Sequence, residues 1–172
     1  PHQRELAYET GETLPWLGGE LRLHVEPRGI RTTLRRDGDR VLVTVDPQAG
    51  GELRRSAIAA ALMRHYKRAG EQFMRPRVEA FAAQLGRPVR KVVIRDQKRR
   101  WGSCAPDGTI RLNWRLMGFP ENLVDYVCAH EAAHLVEANH SPAFWRTVER
   151  LMPDWRAHRA EMRRSAELWT WS

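Results

Sequence analysis

The chain has 172 residues, of which 29% are charged and 42% hydrophobic, and its formal net charge is +8 at pH 7. These proportions are typical of a globular protein and exclude a fibrous or an intrinsically disordered chain. No apolar run is long enough to span a membrane and no segment resembles a signal peptide, so we expect a cytoplasmic protein with no membrane partner.

The two cysteines, Cys104 and Cys128, are too few for a disulfide scaffold and fit a reducing compartment. The positive charge comes almost wholly from arginine. A basic surface favours nucleic acid, nucleotides or acidic proteins as partners, but a solvated arginine-rich surface explains the charge equally well.

The first fifty residues contain no long helical pattern and are punctuated by glycine and proline. Residues 21–25 alternate between apolar and polar side chains, as a half-buried strand does. Two further segments flank the Asp37-Gly38 turn, which predicts a hairpin. We therefore predict a small antiparallel β lobe over residues 1–50.

The hydrophobic period becomes helical near Glu52. Gly70 interrupts this pattern, and Pro76 marks either the start of a second helical segment or a kink. A strand is predicted over residues 89–96. It is followed by a hairpin whose turn, Ala105-Pro106-Asp107-Gly108, has the residues that such turns prefer.

One segment carries the chemistry: residues 127–145 read V-C-A-H-E-A-A-H-L-V-E-A-N-H-S-P-A-F-W. On a helix, His130 and His134 lie one turn apart on the same face, so both imidazoles can point at one metal ion. Glu131 projects beside that face and can reach a metal-bound water. A surface helix with two chance histidines is the alternative, and the apolar surroundings disfavour it.

His140 can join this pair only if the helix stops before it. In a continuous helix it would lie roughly 9 Å further along the axis from His134. We predict that Asn139 ends the helix in a left-handed conformation and that Ser141-Pro142 begins the next one. His140 would then lie in the turn and act as the third ligand.

Pro120 is predicted to open the metal helix, since proline suits the first helical position. After His140 we expect a helix from about Pro142 to Met152. A last helix would start at Asp154 and carry large apolar side chains up to Trp169.

Several motifs together resemble the YgjP-like metallopeptidases, a zincin family related to the SprT-like proteins. They are Thr10-Gly11-Glu12-Thr13-Leu14-Pro15, Leu17-Gly18, Ile94-Arg95-Asp96-Gln97-Lys98, Arg100-Trp101-Gly102-Ser103-Cys104, Leu112-Asn113-Trp114-Arg115-Leu116, and the segment from His130 to Trp145.

The resemblance implies an α+β, zincin-like fold in which a small antiparallel sheet packs on helices around the H-E-x-x-H helix. It implies one Zn²⁺ ion held by His130, His134 and His140, with Glu131 as the catalytic residue. Residues 51–172 would form the metallohydrolase core, and the whole chain one compact domain.

Three neutral imidazole ligands leave zinc an open position for water and lower the pKa of that water to about 7. Glu131 would take its proton as it attacks. A closed structural site, with Cys104 as fourth ligand, is the alternative. The adjacent glutamate favours the open site, because a closed site has no use for a base.

The segment from Gln97 to Cys104 is the candidate edge strand for pairing with an extended peptide substrate. We predict that Trp101 and Ser103 lie near the cleft. Arg100, Asn113 and His158 are candidates for the hydrogen-bond donor that stabilises the transition state. The predicted substrate-binding residues are Arg100, Trp101, Ser103 and Asn113.

Three functions remain open at this point. The leading one is a zinc-dependent metallopeptidase with a polypeptide substrate. The second is a metal-dependent nucleoside triphosphate (UTP) pyrophosphatase, although no glycine-rich phosphate loop supports it. The third is a DNA-associated, SprT-like protein. A basic patch beside the metal would favour the second or third, and an exposed strand edge the first.

Overall fold

The computed structural model describes residues 6–168, with side chains through residue 165. Trp169, predicted to lie in the last helix, is outside the described residues. Two sheets and four α-helices are present, and a 3-10 helix follows the second sheet. In chain order the elements are β1 (Thr13–Trp16), β2 (Gly19–Pro27), β3 (Thr33–Asp37), β4 (Arg40–Val45), α1 (Gly51–Gln84), β5 (Lys91–Arg95), β6 (Gly102–Cys104), β7 (Thr109–Asn113), the 3-10 helix (Trp114–Gly118), α2 (Glu121–Ala133), α3 (Pro142–Leu151) and α4 (Trp155–Leu168).

The first sheet has the order β1-β2-β4-β3. The predicted hairpin is present, since β3 and β4 pair antiparallel around Asp37-Gly38. The prediction of a wholly antiparallel lobe is wrong, because β2 and β4 pair parallel. Burial explains this order. Val41, Val43 and Val45 of β4 are all buried, whereas four of the five residues in β3 are exposed, so β4 takes the interior position and β3 the edge.

Helix α1 is continuous over 34 residues, so the predicted interruption at Gly70 is wrong. Gly70 is buried, and a Cβ there would lie 2.9 Å from Met74 Cε and 3.4 Å from Met117 Cγ, so the glycine leaves room for both methionine side chains. Pro76 is exposed. Proline has no N–H to donate to the carbonyl four residues earlier in the helix, and on an exposed face water can donate to that carbonyl instead.

The second sheet has the order β5-β7-β6, so β6 is an edge strand. Strands β6 and β7 form the predicted antiparallel hairpin, while β5 pairs parallel with β7. Helix α2 lies against this sheet and against α1. Arg77 of α1 joins the two helices, because its Nε donates to Asp125 Oδ1 at 2.8 Å and its side chain also pairs with Glu121.

The α+β class is confirmed, with mixed sheets in place of antiparallel ones. Buried side chains from both sheets and all four helices form one cluster. The Tyr66 hydroxyl donates to the Pro15 carbonyl at 2.7 Å, and the Leu17 amide donates to the Met117 carbonyl at 2.7 Å.

The division of the chain into two parts at residue 50 stays a prediction. Within the described residues, no helix combines the length and apolarity that crossing a bilayer requires.

The turn between β1 and β2 also touches the start of α2. Leu17 and Gly18 have φ values of 45° and 83°, which is the mirror-image turn that suits a two-residue hairpin loop. A Cβ on Gly18 would lie 3.2 Å from the Cα of Pro120, which precedes α2. Glycine at position 18 therefore permits both the conformation of the turn and the close packing of the turn against the start of α2.

We expect Gly18→Ala to lower the free energy of unfolding by about 2 kcal/mol, because it adds backbone strain and a clash with Pro120. Denaturant titration measures this loss. Gly29→Ala is the matched control, since Gly29 has φ 91° but open space around it, and only the strain of about 1 kcal/mol should appear. Equal losses in the two variants would show that the Pro120 contact contributes nothing.

Candidate metal centre

The site is built on the C-terminal half of α2, whose other face is anchored in the core. Leu123, Val124 and Cys128 are fully buried. His130 and Glu131 follow within the helix, and His134 is its C-terminal cap. The helix therefore carries two imidazoles one turn apart and a carboxylate between them.

Three histidines converge as the sequence predicts. The ligand atoms offered by His130, His134 and His140 all lie within 4.8 Å of one another. His140 Nε2 lies 3.0 Å from His130 Nε2. His134 Nδ1 lies 2.9 Å from the Glu137 carbonyl oxygen, so it carries the proton and leaves Nε2 as the free acceptor. Such a backbone partner is what commonly orients a metal-binding histidine.

The chain returns His140 to this cluster by a route that differs from the predicted one. Helix α2 ends at Ala133, and the amides of Val136 and Glu137 still donate to the Ala133 carbonyl as the chain unwinds. Asn139 does not adopt the predicted left-handed conformation: among the described residues other than glycine, only Tyr8 and Leu17 have positive φ. An irregular turn, not a helix cap, brings His140 back.

The predicted start of the next helix is correct. Ser141 is the N-cap of α3, and its Oγ accepts from the Phe144 amide at 3.3 Å, with Pro142 at the first helical position. This cap fixes α3 close to the histidines. The Phe144 ring stacks on His134 at a centroid distance of 4.4 Å, and Trp145 stacks on His140 at 5.8 Å.

Burial favours the neutral form of the two imidazoles on α2. It lowers the pKa of His130 to about 3, with smaller contributions from the neighbouring His134 and His140. Burial also lowers the pKa of His134. Neutral imidazoles are the form that binds a metal ion. His130 Nδ1 is buried without a hydrogen-bond partner among the described residues, and three converging imidazoles are a donor set that fits zinc.

Glu131 is only 5% exposed, an unusual state for a carboxylate. Burial raises its pKa to about 8, and the positive charge of Arg100 opposes this shift. Its Oε2 has no hydrogen-bond partner among the described residues. A buried carboxylate with a free acceptor atom beside a metal-binding cluster is equipped to accept a proton there.

Gly102 of β6 makes room for this carboxylate. A Cβ at Gly102 would lie 2.6 Å from Glu131 Oε1 and 2.7 Å from Glu131 Cγ, so any side chain there would force the carboxylate to move. The edge strand thus passes directly over Glu131, and glycine permits this approach with the carboxylate in its present position.

An open cleft of about 240 Å³ lies beside the cluster. It contains His130, Glu131 and, as predicted, Trp101. Tyr126, Arg159, Met162 and Arg163 also line it, and the sequence did not single them out for this role. The sequence spacing of Arg159, Met162 and Arg163 places them on one face of a helix. Arginine is so frequent in this chain, however, that the spacing of two arginines did not indicate a site. The lining residues are Trp101, Gly102, Tyr126, Val127, His130, Glu131, Arg159, Met162 and Arg163.

The other predicted substrate-binding residues lie outside this lining. Arg100 is exposed and reaches Glu131 only electrostatically. Ser103 follows Gly102 in β6, so its side chain points to the opposite face of the strand. Asn113 is 2% exposed, and its Nδ2 donates to the Gln97 and Arg100 carbonyls at 2.7 and 3.1 Å. That amide braces the loop before β6, and a direct role of Asn113 in substrate binding stays a prediction.

Two further candidates also lie away from the centre. Cys104 is not part of the three-histidine group, and burial raises its pKa to about 11, so it is not a thiolate at neutral pH. His158 Nε2 pairs with Asp154 at 2.9 Å, and its Nδ1 lies 3.3 Å from Asn122 Nδ2. Its side chain is therefore used in fixing α4.

A family model described as YgjP-like, metallopeptidase domain, matches residues 1–165. No curated protein matches the chain. Among solved structures, the chain is similar to the metallopeptidase zymogen of Pyrococcus abyssi abylysin, with 31% identity and a TM-score of 0.48, over 55% of this chain and 94% of that one. The family match spans both sheets and all of the site described above, and the chain belongs to the YgjP-like family as a metallopeptidase domain.

Proposed function

We propose that the protein is a zinc-dependent peptidase in which His130, His134 and His140 hold one zinc ion and Glu131 is the catalytic residue. The observation that carries this proposal is the convergence of three imidazoles beside a buried carboxylate with an oxygen that has no hydrogen-bond partner among the described residues. Membership of a metallopeptidase family makes the protein a metal-dependent hydrolase, and the donor set suggests which metal.

Zinc suits this donor set better than magnesium or calcium does. Magnesium and calcium prefer oxygen ligands, whereas the group here offers imidazole nitrogen only. Three protein ligands are also the number that catalytic zinc sites use.

Zinc held by His130, His134 and His140 would supply Lewis acidity for the hydrolysis. The chain's own residues handle the proton. Glu131 accepts the proton of the attacking water at a carboxylate oxygen and returns it to the leaving amine nitrogen. The backbone of Gly102, packed against the carboxylate, holds Glu131 in place for both transfers.

The edge strand β6 supports a polypeptide substrate. Its outer edge is not paired with another strand of the sheet, and it begins directly after Trp101 in the cleft. An extended peptide can add to such an edge through main-chain hydrogen bonds. The cleft also carries Arg159 and Arg163, and a basic patch beside the metal is the feature that would favour nucleotide hydrolysis or a DNA-associated role. We prefer the peptide because the family is one of peptidases and the ligand set suits zinc.

The decisive experiment incubates the zinc-loaded protein with an unfolded polypeptide and with nucleoside triphosphates in parallel. We expect the wild type to cleave the polypeptide and Glu131→Gln to lose about 10²- to 10⁴-fold in rate, because the amide cannot accept the proton. Zinc content, measured by atomic absorption, should be equal in the two proteins, since Glu131 is not a ligand. Hydrolysis of a triphosphate alone, or equal cleavage by both proteins, would disprove the proposal.

We expect His140→Ala to lose most of its zinc on dialysis, since two imidazoles remain where three are needed. His158→Ala is the matched control, because that histidine pairs with Asp154 outside the three-histidine group and should leave the zinc content unchanged. Full zinc content in His140→Ala after dialysis would place the third ligand elsewhere.

Gly102→Ala tests the contact between β6 and the carboxylate. The added Cβ must displace Glu131, so we expect peptidase activity to fall about 100-fold while zinc stays bound. Gly19→Ala is the control, since its Cβ would meet only the Trp16 carbonyl at an ordinary 3.5 Å. Unchanged activity in Gly102→Ala would mean that Glu131 does not depend on this packing.

A further inference from the structure

We propose that Arg159 and Arg163 form a subsite for a carboxylate group of the substrate, so that this peptidase prefers an acidic residue or a free chain end next to the scissile bond. The inference rests on the proposed peptidase function. It assigns a recognition role to two residues of α4 that lie beside the catalytic centre.

The two arginines share one face of α4 and open into the cleft. They are four residues apart, one turn of the helix, and Met162 is buried beside them. Among the residues with described side chains, no carboxylate lies within ion-pair distance of either arginine. Arg156, in the same helix, pairs with Glu149 at 2.6 Å. Arg159 and Arg163 thus face the cleft, and among the described side chains neither has a carboxylate partner.

Arg159 is held in place by aromatic rings. Its guanidinium lies 4.5 Å from the centroid of the Trp145 ring, and Trp145 stacks on Trp155 at 4.3 Å. Stacking occupies the face of a guanidinium and leaves its N–H edge available. A fixed N–H edge is what binds a carboxylate through two parallel hydrogen bonds.

The charges of both arginines reach into the cleft. Burial raises the pKa of Tyr126, and Arg159 and Arg163 act on it in the opposite direction. Like charges four residues apart on a helix repel each other. A carboxylate between them would remove this repulsion, so the free protein is arranged to gain from binding one.

The apolar residues that line the cleft indicate what kind of group bears the carboxylate. Trp101, Val127 and Met162 are apolar and lie in the same cleft as the two cations. Methylene groups can pack on these walls while the carboxylate meets the arginines. The cleft of about 240 Å³ corresponds to roughly eight water molecules, which is room for a side chain or a chain end and not for a folded partner.

The test uses a peptide that the wild-type protein cleaves, prepared in two matched pairs. In the first pair, glutamate is replaced by glutamine next to the cleaved bond. In the second, the free C-terminal carboxylate is replaced by an amide. We expect kcat/KM to favour the carboxylate about tenfold in one pair, which identifies its source, because charged hydrogen bonds have this strength.

Arg163→Glu should abolish this preference. Arg164→Glu is the matched control, because Arg164 is exposed on the same helix and outside the cleft lining, and it should keep the preference. The ratio within a pair is independent of any general loss of activity. In a second variant, Arg163→Gln, we expect the preference for the carboxylate to be smaller than in the wild type. The assignment would be overturned if the wild type showed no preference for the carboxylate in either pair. It would also be overturned if Arg163→Glu and Arg164→Glu reduced that preference equally.

A separate measurement distinguishes failure of this inference from failure of the proposed function. If the wild type cleaves no peptide, the peptidase proposal fails. The subsite is then tested by equilibrium binding to zinc-loaded Glu131→Gln protein of an extended peptide prepared in two pairs, an internal glutamate against glutamine and a C-terminal carboxylate against an amide, and the carboxylate form of one pair should bind about tenfold more tightly. Stronger competition by inorganic phosphate than by the glutamate peptide would show a phosphate subsite and reject the carboxylate.

Discussion

The burial of ionisable groups at the end of α2 is the constraint on which the rest of the structure depends. His130 and Glu131 sit where water has little access, and each has its pKa shifted towards the neutral form. Removing such groups from water costs free energy. The surrounding elements enclose them: the turn after α2 brings His140, α3 packs aromatic rings on the imidazoles, and β6 covers the carboxylate.

The features predicted from sequence are those that local chemistry determines. The three-histidine cluster follows from spacing along one helix and the need for a break before His140, and the hairpin of β6 and β7 follows from its turn residues. The break itself was misplaced at Asn139. The sequence could not show that the backbone bonds after Ala133 would unwind the helix first.

The features that the sequence did not reveal depend on contacts between distant segments. Gly70 looks like a helix break in the sequence, and its packing against the side chains of Met74 and Met117 explains why glycine is found inside the helix. The parallel pairing of β2 with β4 depends on which strand of a hairpin is more apolar and can enter the sheet. Arg159 and Arg163 acquire meaning only when α4 folds back beside the metal centre, because nothing in their local sequence separates them from the other arginines.

The two sheets share one arrangement, which has a consequence for their edges. In each sheet, one strand (β2 or β5) is followed by a hairpin, and the second strand of that hairpin (β4 or β7) pairs parallel with the strand that precedes the hairpin. The register places Arg22 opposite Arg40 and Lys91 opposite Thr109, and the residues of each pair are 18 positions apart. The hairpin's first strand is left at the edge. In β3 that edge carries arginine and aspartate, which deter another chain from adding and so protect against aggregation. In β6 it is Gly-Ser-Cys, uncharged and small, and so this sheet leaves open to other chains the edge that lies over Glu131.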